Sequence, residues 1–362
     1  MFGLATALEL ARRGNAVVVL DRLGPGHPAT SSTGASRSIR TAYGEPFYVT
    51  LAQEALKRWA ALESATGLEI LHLTGQVDLG WEPSRVAIAE AVDAAGGTIE
   101  YRTHAELREL LPELGPGAGD GLFHQEAGTV LAEAGMRALQ LAALDAGVEL
   151  LAPQPARTIQ ADAGVIIQAD DHIVEAEQVV IAAGPWTGEL LDSVGITVPL
   201  APAVAQVTFL DAPAMVNRPG VVEWPAPGAV GVYGHPVPGV GYKIAFDAGS
   251  DGWAPDVEDW PPDQDEELRV TAWLGRQMPG APRRVAYSQR HPWTMTPDSD
   301  WVIDRRGAVV LACGCSGHAF KFGPALGPLV ADVVDGGEPP ALFALDRSGL
   351  RGTASARDPI SR

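Results

Sequence analysis

Cysteine is nearly absent: the 362-residue chain has two, Cys313 and Cys315, one residue apart. They give neither a disulfide framework nor the four ligands of a structural zinc site, so both read as small core residues in a reducing cytoplasm. Long hydrophobic runs are missing as well. No stretch approaches the roughly 18 apolar residues of a membrane span, and a soluble chain is expected. Positive charge is scarce: 26 Lys and Arg stand against 45 Asp and Glu, for a net charge of -19. Such a chain repels a phosphate backbone or an anionic leaflet, and no compact basic run offsets the repulsion, which excludes nucleic-acid and membrane partners. The eight histidines show no H-x-H or HExxH spacing, so no metal is expected. The apolar opening from Met1 to Ala11 has no basic region before it, contains Glu9 and is followed by Arg12 and Arg13; that order is wrong for a secretion signal.

What is present is an ordinary globular composition, 46% hydrophobic and 20% charged, in a chain long enough for two domains of about 100–200 residues each. Helix and strand patterns alternate. Leu4, Ala7, Leu8 and Ala11 recur at helical spacing, and Gly14 supplies the stop. The run Ala16-Val17-Val18-Val19-Leu20 predicts a parallel strand buried on both faces and ending at Asp21. Further helices are predicted over 46–65, 133–146 and 324–335, and strands over 148–151, 178–183 and 308–312. Residues 164–168 and 173–175 predict a two-stranded excursion. From 199 to 282 prolines and glycines multiply around short β-like runs at 204–210 and 230–233, which predicts a second, sheet-rich domain. The polar tail from about Arg347 is expected to fray.

Dinucleotide-binding folds open with a strand and G-x-G-x-x-G, whose glycines let backbone N–H groups at a helix N-terminus approach a pyrophosphate. Here Gly3 is placed like the third glycine, directly before the amphipathic helix, and Asp21 follows 18 residues later at the end of the second strand, where an acid binds ribose hydroxyls. The first strand and first two glycines are missing. Either the sequence begins downstream of the motif or the phosphate site is damaged. The first reading is favoured, because the strand ending at Leu20 would otherwise lack a neighbour.

Distant segments read together carry a sharper signal: GLATALELARRG near the N-terminus, then Ser36-Arg37-Ser38-Ile39-Arg40-Thr41-Ala42-Tyr43-Gly44-Glu45, then VVIAAGPWTGELL, TPDSDWVID, and Ser316-Gly317-His318-Ala319-Phe320-Lys321-Phe322. In this order and spacing the chain resembles the monomeric sarcosine oxidase and N-methyltryptophan oxidase family of D-amino-acid-oxidase-like flavoproteins. The resemblance implies an α/β fold of two domains. One is a Rossmann-type FAD-binding domain, apparently without its first strand, over 1–72, 130–200 and 290–362. The other is a sheet-rich substrate domain over 73–129 and 201–289. It implies FAD as cofactor, O2 as electron acceptor, and a small amine carrying a carboxylate as substrate, in a monomer. Arg40 and Lys321 match the carboxylate-binding pair, Lys243 the oxygen-activating lysine, and Tyr233 the pocket tyrosine. Gly3, Asp21, Arg22, Ser36, Arg37, Ala156, Gly184, Trp186, His291, Gly314, Gly317, His318 and Lys321 fall at cofactor-contacting positions.

Three departures stand out. His291 occupies the place of the cysteine that commonly links to the flavin, so covalent attachment is in doubt. Thr33 replaces a histidine near the flavin. Asp247 replaces a histidine of the substrate pocket, and if it faces that pocket, a second cationic group on the substrate is expected, since a buried anion needs a partner. The expected activity is oxidation of a secondary amine or amino acid to an imine with release of hydrogen peroxide. The alternatives are a dehydrogenase using another acceptor, and an impaired, noncatalytic flavoprotein. An NAD dehydrogenase fits less well, because the SGHAFKF loop has no role there.

Overall fold

The computed structural model describes residues 1–162 and 164–355. The first helix, Phe2–Arg12, buries Leu4, Ala7 and Leu8 as the spacing predicts. It packs against the helices Ala132–Asp145 and Gly323–Val334. Gly327 lets the last of these approach closely, since a Cβ there would strike the Ala5 carbonyl. The 46–65 expectation matches the helix Pro46–Thr66, closed by Gly67 in the left-handed region at φ 68°.

The parallel strands form two small sheets. Val18–Leu20 pairs with Glu149–Leu151, and Val179–Ile181 pairs with Val309–Cys313, whose other neighbour is the antiparallel Val302–Arg306. Both sheets pack on the first helix: Val17 and Val19 pack against the cluster holding its Leu4 and Leu8, Val180 and Ala182 against the one holding its Phe2 and Leu10. The expectation that 16–20 is buried on both faces fails. Val18 is 41% exposed, because its strand has a single hydrogen-bonded neighbour among the described residues. The excursion also differs from expectation: Ala156–Gln160 adds a third strand to Val165–Ala169 and Ile173–Ala176. Its burial does not alternate: Arg157, Thr158 and Gln160 are all exposed and only Ile159 is buried, so no period-two pattern announced it.

The sheet-rich region is one eight-stranded sheet in the order Val285–Met295, Ala201–Asp211, Gly241–Phe246, Val232–Val237, Gly220–Trp224, Gln76–Gly80, Gly121–His124, Glu100–Arg102. All its pairings are antiparallel except Gly220–Trp224 with Gln76–Gly80. The helix Gln264–Gln277, unforeseen in a stretch dominated by acids and prolines, is started by Asp263, whose carboxylate accepts from the N–H groups of Asp265 and Glu266. Its Val270, Trp273 and Leu274, with Leu107, cover the face of the sheet that carries Ile244. A smaller sheet, Ser36–Arg40 with Ala127–Leu131 and Leu71–Leu73, lies beside the large one.

The expected fraying from Arg347 is corrected as far as residue 355; residues 356–362 lie outside the described residues. Arg347 forms a two-pronged ion pair with Asp298, Nε to Oδ2 at 2.7 Å and Nη2 to Oδ1 at 3.0 Å, and Leu350 is buried. Among the described residues no helix is long and apolar enough to cross a membrane.

Candidate functional site

Strand register builds one wall of the site. His235 lies opposite Lys243, Tyr233 opposite Ala245, and Phe209 opposite Lys243 on the other side. Side chains two apart on a strand share a face, so Tyr233, His235, Lys243 and Phe209 point the same way. The Lys243 Nζ stands 5.8 Å from the Tyr233 ring and 6.0 Å from the Phe209 ring. It donates to the Ser36 carbonyl at 2.9 Å, tying the large sheet to the Ser36–Arg40 strand. Thr129 completes the seam, in hydrogen-bond contact with His235 Nδ1 at 2.8 Å and donating to the Pro236 carbonyl at 2.6 Å.

Arg37, Arg40, Lys243 and Lys321 line one cavity together with Tyr233 and Asp247. They come from four separate chain segments, so only the tertiary fold assembles them. Arg40 is 5% exposed, its guanidinium carbon 4.8 Å from the Tyr43 ring and 4.7 Å from the Trp224 ring. Lys321 is 7% exposed, and its Nζ faces the Tyr43 and Phe322 rings, with no hydrogen bond to the described protein. Burial, then the charges of Arg37 and Lys321, push the Lys243 ammonium well below its ordinary range. For Lys321 the causes are burial, then Arg40 and Arg37, opposed by Asp247. Burying cations beside one another is unfavourable unless something anionic relieves them.

Asp247 does face this cavity. Burial raises its carboxyl while Arg40 and Lys321 draw it down. These protein cations already stand near it, so the condition behind the expected second substrate cation is met, but the need for one is not. Burial and Asp247 together raise the Tyr233 phenol, which keeps it a neutral hydrogen-bond donor.

Lys321 sits in a single 3-10 turn, Phe320–Phe322, at the end of the loop that leaves Val309–Cys313. Gly314 and Gly317 adopt φ 71° and 72°, and Ser316 shares the left-handed region at 43°, a conformation that costs a non-glycine residue about 1 kcal/mol or more. Ser316 is held there by its N–H to the Thr294 carbonyl at 2.8 Å and by its Oγ, which accepts from the Thr296 N–H at 3.2 Å. His318 stacks on Trp301 at 5.1 Å, its Nε2 2.9 Å from the Ser299 carbonyl. Its ring thus anchors the loop.

The other expected residues lie on several segments outside the lining of that cavity. Gly3 brings the first helix against the end of Val179–Ile181, where a Cβ would touch that of Ala182 at 3.5 Å. Gly184, at φ 55°, opens the turn after that strand. Asp21 Oδ1 accepts from the N–H groups of Leu23 and Gly24 at 3.1 and 2.8 Å, so one carboxylate oxygen is used by its own turn. Arg22 lies against the Trp186 ring at 5.3 Å, with Asp256 Oδ1 at 3.4 Å, and Trp186 Nε1 donates to the Pro255 carbonyl at 3.2 Å. Ala156 starts its strand inside the apolar cluster of Leu20 and Ile181. Thr33 donates to the Gly26 carbonyl and accepts Arg37 Nη2 on its own carbonyl at 2.6 Å.

His291 belongs to the long strand Val285–Met295, opposite Ala205. Its imidazole is held neutral, with a pKa of about 3, by burial and the charges of Arg37 and Lys243. Both cysteines are free thiols; burial pushes Cys313 up to about 12 and also raises Cys315. That disfavours the thiolate at both, with Cys313 buried and Cys315 half-buried. Orphaned buried polar atoms occur on these segments: Ser31 Oγ, Ser36 Oγ, Thr187 Oγ1 and His291 Nδ1 have no hydrogen-bond partner in the described protein. Buried polar groups are ordinarily satisfied, so these atoms can serve a polar ligand. The residues that sequence reasoning missed are His235, Phe209 and Trp224, while Ser38 and Tyr43 stood within the Ser36–Glu45 segment without a role of their own. Period-two spacing from Tyr233 was the one signal available for His235; Trp224 and Phe209 gave none.

Comparison with known proteins agrees with this geometry. The family model described as FAD dependent oxidoreductase matches residues 1–333. Monomeric sarcosine oxidase of Streptomyces avermitilis is 31% identical over 348 residues, covering 91% of this chain and 90% of that protein. N-methyl-L-tryptophan oxidase of Yersinia pestis is 27% identical, covering 91% of each chain. L-proline dehydrogenase from P. horikoshii, a solved structure 20% identical, shares the fold at a TM-score of 0.81, covering 92% of this chain and 91% of its own. The chain belongs to the FAD dependent oxidoreductase family.

Proposed function

We propose that this protein oxidises a small secondary amine or amino acid of the sarcosine, N-methyl amino acid or cyclic imino acid type. The observation that carries this reading is the pair of buried cations, Arg40 and Lys321, facing one cavity from distant segments. Two such groups hold a carboxylate with charge-assisted hydrogen bonds. The sarcosine oxidase and N-methyl-L-tryptophan oxidase relatives support the substrate class.

The residues present fit FAD. Gly3 at the start of the first helix and Gly184 allow backbone to approach a pyrophosphate; the orphaned Thr187 hydroxyl follows the Gly184 turn, and the orphaned Ser31 hydroxyl lies 3.8 Å from where a Cβ on Gly184 would stand. Asp21, Arg22, Ala156 and Trp186 would flank the adenosine end, and Arg37, His291, Gly314, Gly317 and His318 the ring end. His291 offers a neutral imidazole there, and we propose that it packs beside the ring without a covalent link. Bound FAD supplies the two-electron acceptor.

Arg40 and Lys321 fix the carboxylate, which orients the carbon next to nitrogen. The surrounding cations disfavour an ammonium, so the amine is held neutral and no separate general base is required. Two electrons and two protons leave the carbon–nitrogen bond to give an imine; oxygen takes up both pairs as hydrogen peroxide. Lys243, anchored on Ser36, holds an amine N–H donor where oxygen gains charge. We place the protein in the cytoplasm as a monomer without nucleic-acid partners, with residues 1–72, 130–200 and 290–362 serving the cofactor and 73–129 and 201–289 the substrate.

The test is the visible spectrum of the purified protein before and after anaerobic addition of sarcosine, proline or pipecolate, followed by air and a peroxide assay. Bleaching of the flavin band with peroxide on re-aeration is expected. Bleaching without peroxide would move the protein to the dehydrogenases. A band unmoved by any of these amines would overturn the substrate class.

A further inference from the structure

Behind Arg40 lies a buried carboxylate that the proposed chemistry does not use. Asp78 is 0% exposed at the centre of the strand Gln76–Gly80. Register places it opposite Val222, two residues from Trp224, so Gln76, Asp78, Trp224 and His124 share one face. Its Oδ1 accepts from Trp224 Nε1 at 2.7 Å and from Gln76 Nε2 at 3.0 Å, and its Oδ2 lies 3.0 Å from His124 Nε2. The face of the same Trp224 ring carries the Arg40 guanidinium at 4.7 Å.

A carboxylate with no exposed surface is expensive to bury, whereas a buried indole N–H needs an acceptor of any kind. Here the acceptor is charged. Burial would raise the Asp78 carboxyl, yet His124, Arg40 and the Trp224 N–H outweigh it and hold the group below its usual range. The indole is thus gripped by a charge-assisted bond at one edge and presents its face to the guanidinium. Turning the ring would withdraw the surface against which Arg40 lies.

We propose that Asp78 and Trp224 are positioning residues for Arg40, fixing the direction in which its guanidinium meets the substrate carboxylate. This rests on the reading of Arg40 as a carboxylate-binding group. Trp224→Phe keeps an aromatic face but loses the N–H anchor. Asp78→Asn keeps an acceptor oxygen but loses the charge.

The experiment uses the FAD-loaded enzyme and two probes. The first is proline against pyrrolidine, the same amine without the carboxylate. The second is cyclopentanecarboxylate, a proline isostere that cannot be oxidised at nitrogen, with its Kd read from the flavin absorption. In Trp224→Phe the proline KM and the cyclopentanecarboxylate Kd are expected to rise about 10-fold, with a smaller change in kcat and no change for pyrrolidine. In Asp78→Asn the rise is about 3-fold. Unchanged KM and Kd in both variants, or equal losses for proline and pyrrolidine, would overturn the proposal. If Trp224→Phe does not retain FAD, the near-isosteric Asp78→Asn decides by the same readout. Failure of the underlying reading shows separately: wild-type protein would then bind cyclopentanecarboxylate no more tightly than cyclopentylmethanol.

Discussion

Around Asp298 opposite charges meet at hydrogen-bond distance, whereas around Lys321 like charges face a single cavity. In the first region Arg347 donates twice to Asp298 and once to the Asp300 carbonyl at 2.9 Å, and the Tyr48 hydroxyl donates to Asp300 Oδ1 at 2.7 Å. In the second, Arg37, Arg40, Lys243 and Lys321 face a cavity with Asp247 as the acid among them. Pairing within the protein marks a structural network, because each group is satisfied before any ligand arrives. Crowding of cations marks a binding site, because its electrostatic cost is recovered when an anion enters. Lys321 lies between Asp298 and Arg347 in the chain, so chemistry and not position along the sequence distinguishes the two regions.

The largest effect is expected from Arg347→Ala. Breaking a mostly buried two-pronged pair should lower unfolding stability by about 3 kcal/mol, read by urea unfolding, while kcat/KM of the folded protein stays near wild type. Burial pushes the Asp298 carboxyl up, but the hydrogen bonds and charge of Arg347 prevail and hold it below its usual range. A carboxylate depressed in the folded state stabilises at neutral pH and loses that contribution as pH falls below about 4. The difference between wild type and Arg347→Ala should therefore shrink at pH 3. A large activity loss with unchanged stability would reverse the assignment of the two regions.

Lys321→Met should do the opposite. Loss of one charge-assisted partner lowers kcat/KM for a carboxylate-bearing amine about 100-fold, while the melting temperature holds or rises, because a desolvated cation has been replaced by an apolar chain. A matching fall in melting temperature would make Lys321 structural. The smallest effect is expected at Arg157, paired with Asp170 in full exposure. Arg157→Ala should leave both melting temperature and kcat/KM unchanged; a clear shift in either would mean that pairing alone does not separate the regions.

Local signals in the sequence reached far into the fold. The spacing of Leu4, Ala7 and Leu8 gave the first helix, and the segment around Lys321 pointed to the loop that carries it. They did not reach the helix Gln264–Gln277, whose acidic first turn reads as loop until Asp263 is seen capping it, nor the docking of Arg347 on Asp298, which pairs residues 49 apart. Trp224 and Asp78 were invisible for a similar reason. Their strands are parallel neighbours far apart in the chain, and no periodicity within either strand reports the other.

The sequence by itself determined the alternation of helices and strands, the scarcity of cations and the positions of the few that matter, because hydrophobic period and residue type are local properties. Only the tertiary structure decided that Arg37, Arg40, Lys243 and Lys321 share one cavity, that Asp247 joins them, and that Asp78 stands behind Arg40. Burial and charge–charge proximity belong to pairs of distant residues, and they arise when the sheets pack.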